Sequence, residues 1–536
     1  MRPLQRGAIE CINRDPRPLP MFASADNRAG PNPPLSTWAG FSAMCLGMFM
    51  AVLDIQVVAT SLPIIQAALK MRADQMSWIQ TSYLIAEVIA IPLTGLLTRT
   101  LTIRWLSVIS LAIFTGASIG CAYSQSFATL LAWRAIQGFA GGSLIPQVFA
   151  AGFVLFPGPG QALATTIAGV LAVLAPTVGP YVGGWVTETY DWPWLFLINL
   201  GPGLVAMSVS AWWLPRQATD LGLLRNLDYA ALALMATALM CLEIAIKEAP
   251  ERGWRSVPVL TLFGACISLG VLFVRQTLRS PHPVVDLRVL QDRRFALGSA
   301  LSFILGVGLY GAIYLMPVFL AFVRLHDALE IGEIMIVTGA AQLVMAPITV
   351  VLEWRVSARV LTSVGFALFA AGLGISAFQT RTTDFEQMVL PQLLRGSAIM
   401  LCLLPPIRIA LGHLAPEAVA HASGLLNLMR NLGGAIGLAL IDTVLYGRGP
   451  VIGERLGQSL ASGDVEAARI VGLPMEQFLA HTPGTPVPPA TLAFVRAAVQ
   501  RQATVEAVNE AWALLALLTL AGALAVLVLR PTKSDR

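Results

Sequence analysis

Three charged residues stand inside long apolar runs of the chain: Asp54, Glu87 and Arg134. A charge in the middle of a membrane costs several kcal/mol unless it is paired or hydrated, so residues of this kind mark a functional site by default. Burial favours the neutral form of a carboxyl group, and a nearby guanidinium favours the charged form. A carboxyl group that toggles between the two can exchange a proton for a cargo. Counted from the outward ends of their runs at 1.5 Å per residue, Asp54 lies about 12 Å deep, Glu87 about 16 Å and Arg134 about 12 Å. Such depths permit one shared polar site. The other reading of the same residues is a structural ion pair that locks helices together.

Further polar residues carry weaker signals. Glu243 lies near the end of its run, four residues before Lys247, where it can snorkel to the surface or pair along a helix. Asp442 stands near the end of another run and admits either a structural or a functional role. Asn427, Arg430 and Asn431 place polar groups on one side of a single run, as a cargo wall or as contacts between helices.

Several chemistries are excluded. No Lys follows a Gly, so the phosphate-cradling loop of a nucleotide-driven motor is missing. Gly116-Ala117-Ser118-Ile119-Gly120 has the spacing of a hydrolase nucleophile, but it lies in the middle of an apolar run and reads as small residues for helix packing. The five histidines have no metal-ligand spacing and lie outside the cores of the runs. Five of the six cysteines (Cys45, Cys121, Cys241, Cys266, Cys402) lie inside apolar runs and read as small hydrophobic residues, with Cys11 in a polar tail. Neither an enzyme, nor a metal site, nor a cofactor is expected.

The elements that must position the charges are membrane-spanning helices. Of 536 residues, 56% are hydrophobic and 12% charged, with a mean hydropathy of +0.71; a soluble domain carries about 25% charged residues. Runs of roughly 20 apolar residues, the length that spans a bilayer, recur near 38–62, 76–98, 103–123, 126–151, 161–186, 193–215, 229–247, 257–275, 295–320, 332–352, 359–378, 387–411, 420–446 and 508–530. With the amino terminus inside, cytoplasmic segments hold more than half of the 35 Lys and Arg residues, and the short outer loops about a fifth. Positive residues gather on the cytoplasmic side of membrane proteins, so both termini are expected to be cytoplasmic. The net charge of +5 is scattered between apolar runs, unlike the clustered basic face of a nucleic-acid binder. Residues 1–36 hold scattered Arg and Pro without a compact apolar core, which predicts a disordered cytoplasmic tail rather than a signal peptide. The long outer loop at 447–507, with Thr482-Pro483-Gly484-Thr485-Pro486, is expected to be partly ordered at best. A faint repeat pairs Gln137-Gly138 and Pro146 of the fourth run with Arg395-Gly396 and Pro405-Pro406 of the twelfth.

The fifth run contains Gly179-Pro180-Tyr181-Val182-Gly183-Gly184. Proline removes a backbone donor, and glycine lets neighbouring helices approach closely. This cluster resembles the antiporter signature, GPxxGG, of the major facilitator superfamily. Leu53-Asp54 with Ser61-Leu62-Pro63, Arg134-Ala135-Ile136-Gln137-Gly138, Trp192 to Asn199, Pro283 to Leu287, and Ala422-Ser423-Gly424 with Asn427, Arg430 and Gly433-Gly434 resemble, in the same order, motifs of its fourteen-helix drug:proton antiporters, the EmrB/QacA type. The resemblance runs from about residue 40 to 530. It implies an all-α polytopic membrane protein with the major facilitator fold: a six-helix half at 37–216, two inserted helices at 217–276, and a second six-helix half at 277–530 that includes the outer loop, followed by a tail at 531–536.

By the same resemblance the chain exports small hydrophobic or amphiphilic compounds across the inner membrane against inward proton flow. Asp54, Glu87, Arg134, Gln137, Asn427 and Arg430 are its candidate proton- and cargo-binding residues. The partners implied are protons, a hydrophobic cargo, the lipid bilayer, a membrane-fusion adaptor and an outer-membrane channel. A dedicated exporter of one endogenous metabolite and a non-transporting membrane sensor or scaffold are the alternatives. Two departures bear on gating. In the loop between the second and third spans, Arg99 stands where the family has Asp, and Thr102 stands where it has a second Gly, while Arg104 keeps a basic position. The loop at 155–161 lacks the usual basic residues.

Overall fold

A computed structural model of the chain describes residues 34–528, apart from 157–158, 218, 220–221, 223–227, 281–286, 354, 412–413, 415 and 474–488. Most of the amino-terminal tail, the segment Pro283 to Asp286, the stretch Thr482 to Pro486 and the carboxy-terminal tail lie outside the described residues, as does the side chain of Arg99.

The described chain is almost wholly helical, with no β-strand among the described residues. Its long helices are α1 (Leu35–Ala68), α2 (Ala73–Gly95), α3 (Thr100–Ala122), α4 (Phe127–Leu155), α5 (Pro159–Tyr190), α6 (Trp194–Trp213) and α7 (Tyr229–Arg252). They continue as α8 (Val257–Arg279), α9 (Arg293–Phe319), α10 (Ala328–Glu353), α11 (Ala358–Ser376), α12 (Phe385–Leu411), α13 (Pro416–Asp442) and α14 (Pro489–Val528). Short polar side chains start several of them by accepting from orphan backbone N–H groups: Ser126 for α4, Asp228 for α7, Asp292 for α9 and Ser357 for α11. Thirteen of these segments are long and apolar enough to cross a membrane. The exception is α4, which at 29 residues is ample in length but is made less apolar by Arg134, Gln137 and Gln147. The residues that dilute it are buried, so the helix is satisfied by protein rather than by lipid.

Each half is knit by its own contacts. In the first, α4 packs along α2 and α3, and α1 packs on α5 and α6; in the second, α9 packs on α13, and α11 packs on α12 and α14. The halves meet through α5 against α10 and through α2 against α13, while α7 and α8 pair with each other and touch the rest mainly through α13. The repeat seen in the sequence has a packing counterpart. A Cβ at Gly138 of α4 would lie 2.2 Å from the Tyr83 carbonyl oxygen of α2, and one at Gly396 of α12 would lie 2.2 Å from the Thr338 carbonyl oxygen of α10. Both glycines therefore bring the fourth helix of a half onto its second.

Two places add detail to the sequence-based expectations. The stretch 447–507, expected to be partly ordered at best, contains helices at Gly449–Ala461 and Val465–Val471, and α14 begins within it. The reason is an apolar stripe at helical spacing, Ile452, Leu456 and Leu460, which is buried. Polar ties hold this region to α14: Arg448 pairs with Glu510, and Arg455 with Glu506 at 2.6 Å. The second place is Thr102, whose φ of +71° breaks the helix where α2 gives way to α3. A β-branched residue is disfavoured at positive φ, and glycine is not. The position where the resemblance leads one to expect Gly thus keeps a glycine-type backbone under a threonine. Thr102→Gly is expected to raise stability by about 1 kcal/mol, measured as a higher melting temperature in detergent; a lower one would contradict this reading.

Candidate functional site

Asp54 sits on α1 and Arg134 on α4, and their side chains form a buried ion pair. Asp54 is 1% exposed and Arg134 0%, so the pair has neither water nor lipid around it and must be satisfied by protein. The other carboxylate oxygen of Asp54 accepts from Gln137 Nε2 and from Asn199 Nδ2, each at 2.9 Å. Gln137 Nε2 also donates to Ser118 Oγ at 2.8 Å, and its Oε1 accepts from Arg134 Nη1 at 2.7 Å. Arg134 Nε donates to the Ile79 carbonyl oxygen of α2 at 3.1 Å. Beneath the guanidinium lies the ring of Tyr83, 4.5 Å from centroid to carbon, with Phe196 at 5.7 Å. Residues of α1, α2, α3, α4 and α6 thus form one network around the Asp54–Arg134 pair.

Glu87 lies apart from that pair. It is buried on α2 against Gly142 of α4, where any Cβ would meet the Glu87 backbone and side chain. Tyr83, one turn before it, is near both carboxylates. On the far side Glu87 faces Arg430 and Asn431 of α13, in the other half of the molecule. Asn431 accepts from the Tyr310 hydroxyl of α9 at 3.2 Å, and Arg430 donates to Asn427. Asn427 Nδ2 is buried without a hydrogen-bond partner among the described residues, while Glu87 and Asn431 interact with each other. The six candidate residues therefore divide into two clusters. Asp54, Arg134 and Gln137 are interlocked within the first half, while Glu87, Asn427 and Arg430 straddle α2 and α13.

The four residues of the antiporter signature lie at the seam between the halves. A Cβ on Gly183 would lie 2.3 Å from the Val57 carbonyl oxygen of α1, and one on Gly184 would lie 2.2 Å from the Ala328 carbonyl oxygen of α10. Gly179 rests on Gln56 of α1, and the Pro180 carbonyl oxygen fills the space above Gly332 of α10. Adjacent glycines thus let α5 touch its own half and the opposite half at one level. Around them, Glu188 Oε1 accepts from the Ala328 backbone N–H at 3.2 Å, Thr177 Oγ1 donates to the Gly339 carbonyl oxygen at 3.0 Å, and Ser77 donates to Asp442. The Ser77–Asp442 and Glu188–Ala328 bonds join the halves at the end of the bundle that holds the α1–α2 loop.

Asn199, Ser118 and Tyr83 belong to the Asp54 network and were not singled out from the sequence as site residues. Asn199 closes the Trp192 to Asn199 motif, which was a usable signal; Ser118 was read as packing, and Tyr83 carries no mark beyond its type. Of the two readings of Glu243, snorkelling is corrected, since the residue is 1% exposed; the side chain of Lys247, its possible partner along the helix, lies outside the described residues. Its helix α7 packs on α8, α13 and the turn Thr443–Arg448, so protein rather than solvent surrounds that level.

Residues 44–440 match the family model of the Major Facilitator Superfamily. The chain belongs to this family. It is a multi-pass protein of the inner membrane. Among related proteins, it is 37% identical to the colistin resistance protein EmrB of Acinetobacter baumannii over 77% of this chain and 81% of that protein. It is 31% identical to the multidrug resistance protein B homolog of Mycobacterium tuberculosis (75% of this chain, 74% of that one). It is 29% identical to the multidrug export protein EmrB of Escherichia coli K12 (76% and 80%). The fold is shared with solved transporters of low identity. A bacterial homologue of the lysosomal transporter Spinster aligns with a TM-score of 0.58 at 16% identity, covering 93% of this chain and 99% of that one. A proton-dependent oligopeptide transporter aligns with a TM-score of 0.60 at 11% identity, covering 92% and 98%.

Removing one partner of a buried ion pair leaves the other charge uncompensated. Arg134→Met is therefore expected to destabilise the protein by about 3–5 kcal/mol, and adding Asp54→Asn should recover a large part of the loss. Additive losses in a double-mutant cycle of melting curves would show that the two residues do not act as a pair.

Proposed function

We propose that this chain is a proton-coupled antiporter that exports small hydrophobic and amphiphilic compounds. The observation that carries the reading is the buried Asp54, held by Arg134, Gln137 and Asn199 from two other helices. Protonation removes its charge and with it the attraction of Arg134, which remains tethered to the α2 backbone through Ile79. Helices α1 and α4 are then free to shift relative to each other, and the shift is reversed when the proton leaves. Glu87 is the second carboxyl group of the path; placed between the halves beside Arg430 and Asn431, it senses their separation. Asn427 and Arg430 form the polar wall that cargo meets. Relatives that bear multidrug export names support this reading.

The excess of Lys and Arg in alternate loops supports a topology with both termini in the cytoplasm. The seam closed by Gly183, Gly184 and Glu188 then faces outward. The helices Gly449–Ala461 and Val465–Val471 lie on that same side, where a membrane-fusion adaptor leading to an outer-membrane channel would dock. On the cytoplasmic side, the loop with Thr102 and Arg104 takes part in a gate that differs from the family pattern.

Asp54→Asn is expected to reduce pH-gradient-driven efflux to the level of protein-free vesicles when equal amounts of folded protein are reconstituted. Efflux equal to that of the unmodified protein would remove Asp54 from the mechanism. A protein that gives no counterflow of any hydrophobic probe in proteoliposomes would be a sensor or scaffold instead.

A further inference from the structure

The second half also contains a buried arginine, but no carboxylate among the described residues meets it. Arg395 of α12 is 3% exposed. Where Arg134 finds Asp54 on the first helix of its half, Arg395 finds the thioether of Met316 on α9, which accepts from Nη2 at 3.5 Å. Its guanidinium stacks 4.7 Å from the Trp512 ring centroid of α14. Nε and Nη1 have no hydrogen-bond partner among the described residues. Three residues earlier, the Oε1 of Gln392 accepts from Thr338 Oγ1 at 2.9 Å, while its buried Nε2 is without a partner among the described residues. What is left over at this level is therefore a positive charge and N–H donors.

Arg395 opens on a cavity of about 50 Å³ between the two halves, which is lined also by Gln56 of α1, Pro176 of α5, Met316 of α9, and Thr338 and Gln342 of α10. An unpaired charge in a buried, mostly apolar site is costly, and a bound counter-ion removes that cost. The fork of a guanidinium matches the two oxygens of a carboxylate or sulfonate. One guanidinium compensates one negative charge. The cavity in this conformation is far below the roughly 300–1,000 Å³ of a pocket for a whole drug-sized molecule. It suits a head group, with apolar surface on α5 and α9 to take the attached hydrocarbon chain.

We propose that Arg395 receives the singly charged oxyanion head group of an amphipathic cargo, which makes lipophilic carboxylates and sulfonates a substrate class of this protein. The proposal rests on the export reading for its transport step, but the binding step stands without it. Asp54 and Glu87 supply the proton exchange, and Arg395 supplies the selectivity for anions.

The test uses the full-length purified protein with decanesulfonate, decyltrimethylammonium, decanol and chloride as probes. Decanesulfonate is expected to raise the melting temperature of the unmodified protein by several degrees, and that of Arg395→Lys by less. It should leave Arg395→Gln unchanged. In vesicles with an imposed pH gradient, Arg395→Gln should lose about tenfold in decanesulfonate efflux while keeping efflux of decyltrimethylammonium. Equal protection by chloride alone would overturn the proposal and leave a structural anion site. So would equal protection by decanol, protection of Arg395→Gln by decanesulfonate, or an equal loss of both charged probes in the vesicles. If Arg395→Gln does not fold, the weaker response of Arg395→Lys carries the comparison, and a response equal to that of the unmodified protein overturns the proposal. An unmodified protein that moves the cation but neither binds nor moves decanesulfonate keeps the export reading and loses this one. One that binds decanesulfonate through Arg395 yet moves no probe loses the export reading alone.

Discussion

A charge in hydrocarbon must be paired, and the first half of this molecule is organised by that requirement. Asp54 and Arg134 are each almost free of contact with solvent, so their donors and acceptors depend on neighbouring helices, and Arg134 Nη2 is left without a partner among the described residues. Gln137, Asn199, Ser118 and the Ile79 carbonyl supply most of the answers. Because those groups sit on different helices, the ion pair fixes how α1, α2, α3, α4 and α6 are arranged around it. Members of such a network depend on one another, so a change at one of them is felt by the rest.

Close helix contact is the second constraint, and it links the switch to the seam between the halves. Gly183 and Gly184 admit α1 and α10 to the same stretch of α5, and Gly179 rests on Gln56, two residues after Asp54. A shift of α1 at Asp54 is therefore felt at the α5–α10 seam within one turn of helix. In the second half, Gly433, Gly434 and Gly437 hold α13 against α9 in the same manner, which brings Arg430 and Asn431 up to Glu87. The two carboxyl groups are thus coupled to different parts of the molecule, Asp54 to its own half and Glu87 to both.

How much of this could be read from the sequence depended on the chemistry of each residue. Asp54, Arg134 and Glu87 were legible because ionisable groups are rare in apolar runs. The GPxxGG cluster was legible as a motif, but its double contact needed the positions of α1 and α10. Asn199, Ser118 and Tyr83 were not recognised, since uncharged polar residues occur in many membrane helices without a site. The division of the six candidates into two clusters was hidden as well. Depth along a helix, about 12 Å against 16 Å, says nothing of which face a residue occupies. The span α4 was found as an apolar run although Arg134, Gln137 and Gln147 interrupt it. The helices at 449–471 were missed because a stripe of three apolar residues is too short a signal. The isolation of Arg395 is a property of its neighbours and has no counterpart in the sequence.

The central claim is that Asp54 changes protonation as the transporter works. Infrared difference spectroscopy of the purified protein in lipid measures this directly, through the carbonyl stretch of a protonated carboxylic acid. The account predicts a carboxylic acid band that appears on acidification, disappears on addition of an exported compound, and is missing in Asp54→Asn while any Glu87 band remains. An unchanged band in Asp54→Asn, or no band that responds to cargo, would contradict it.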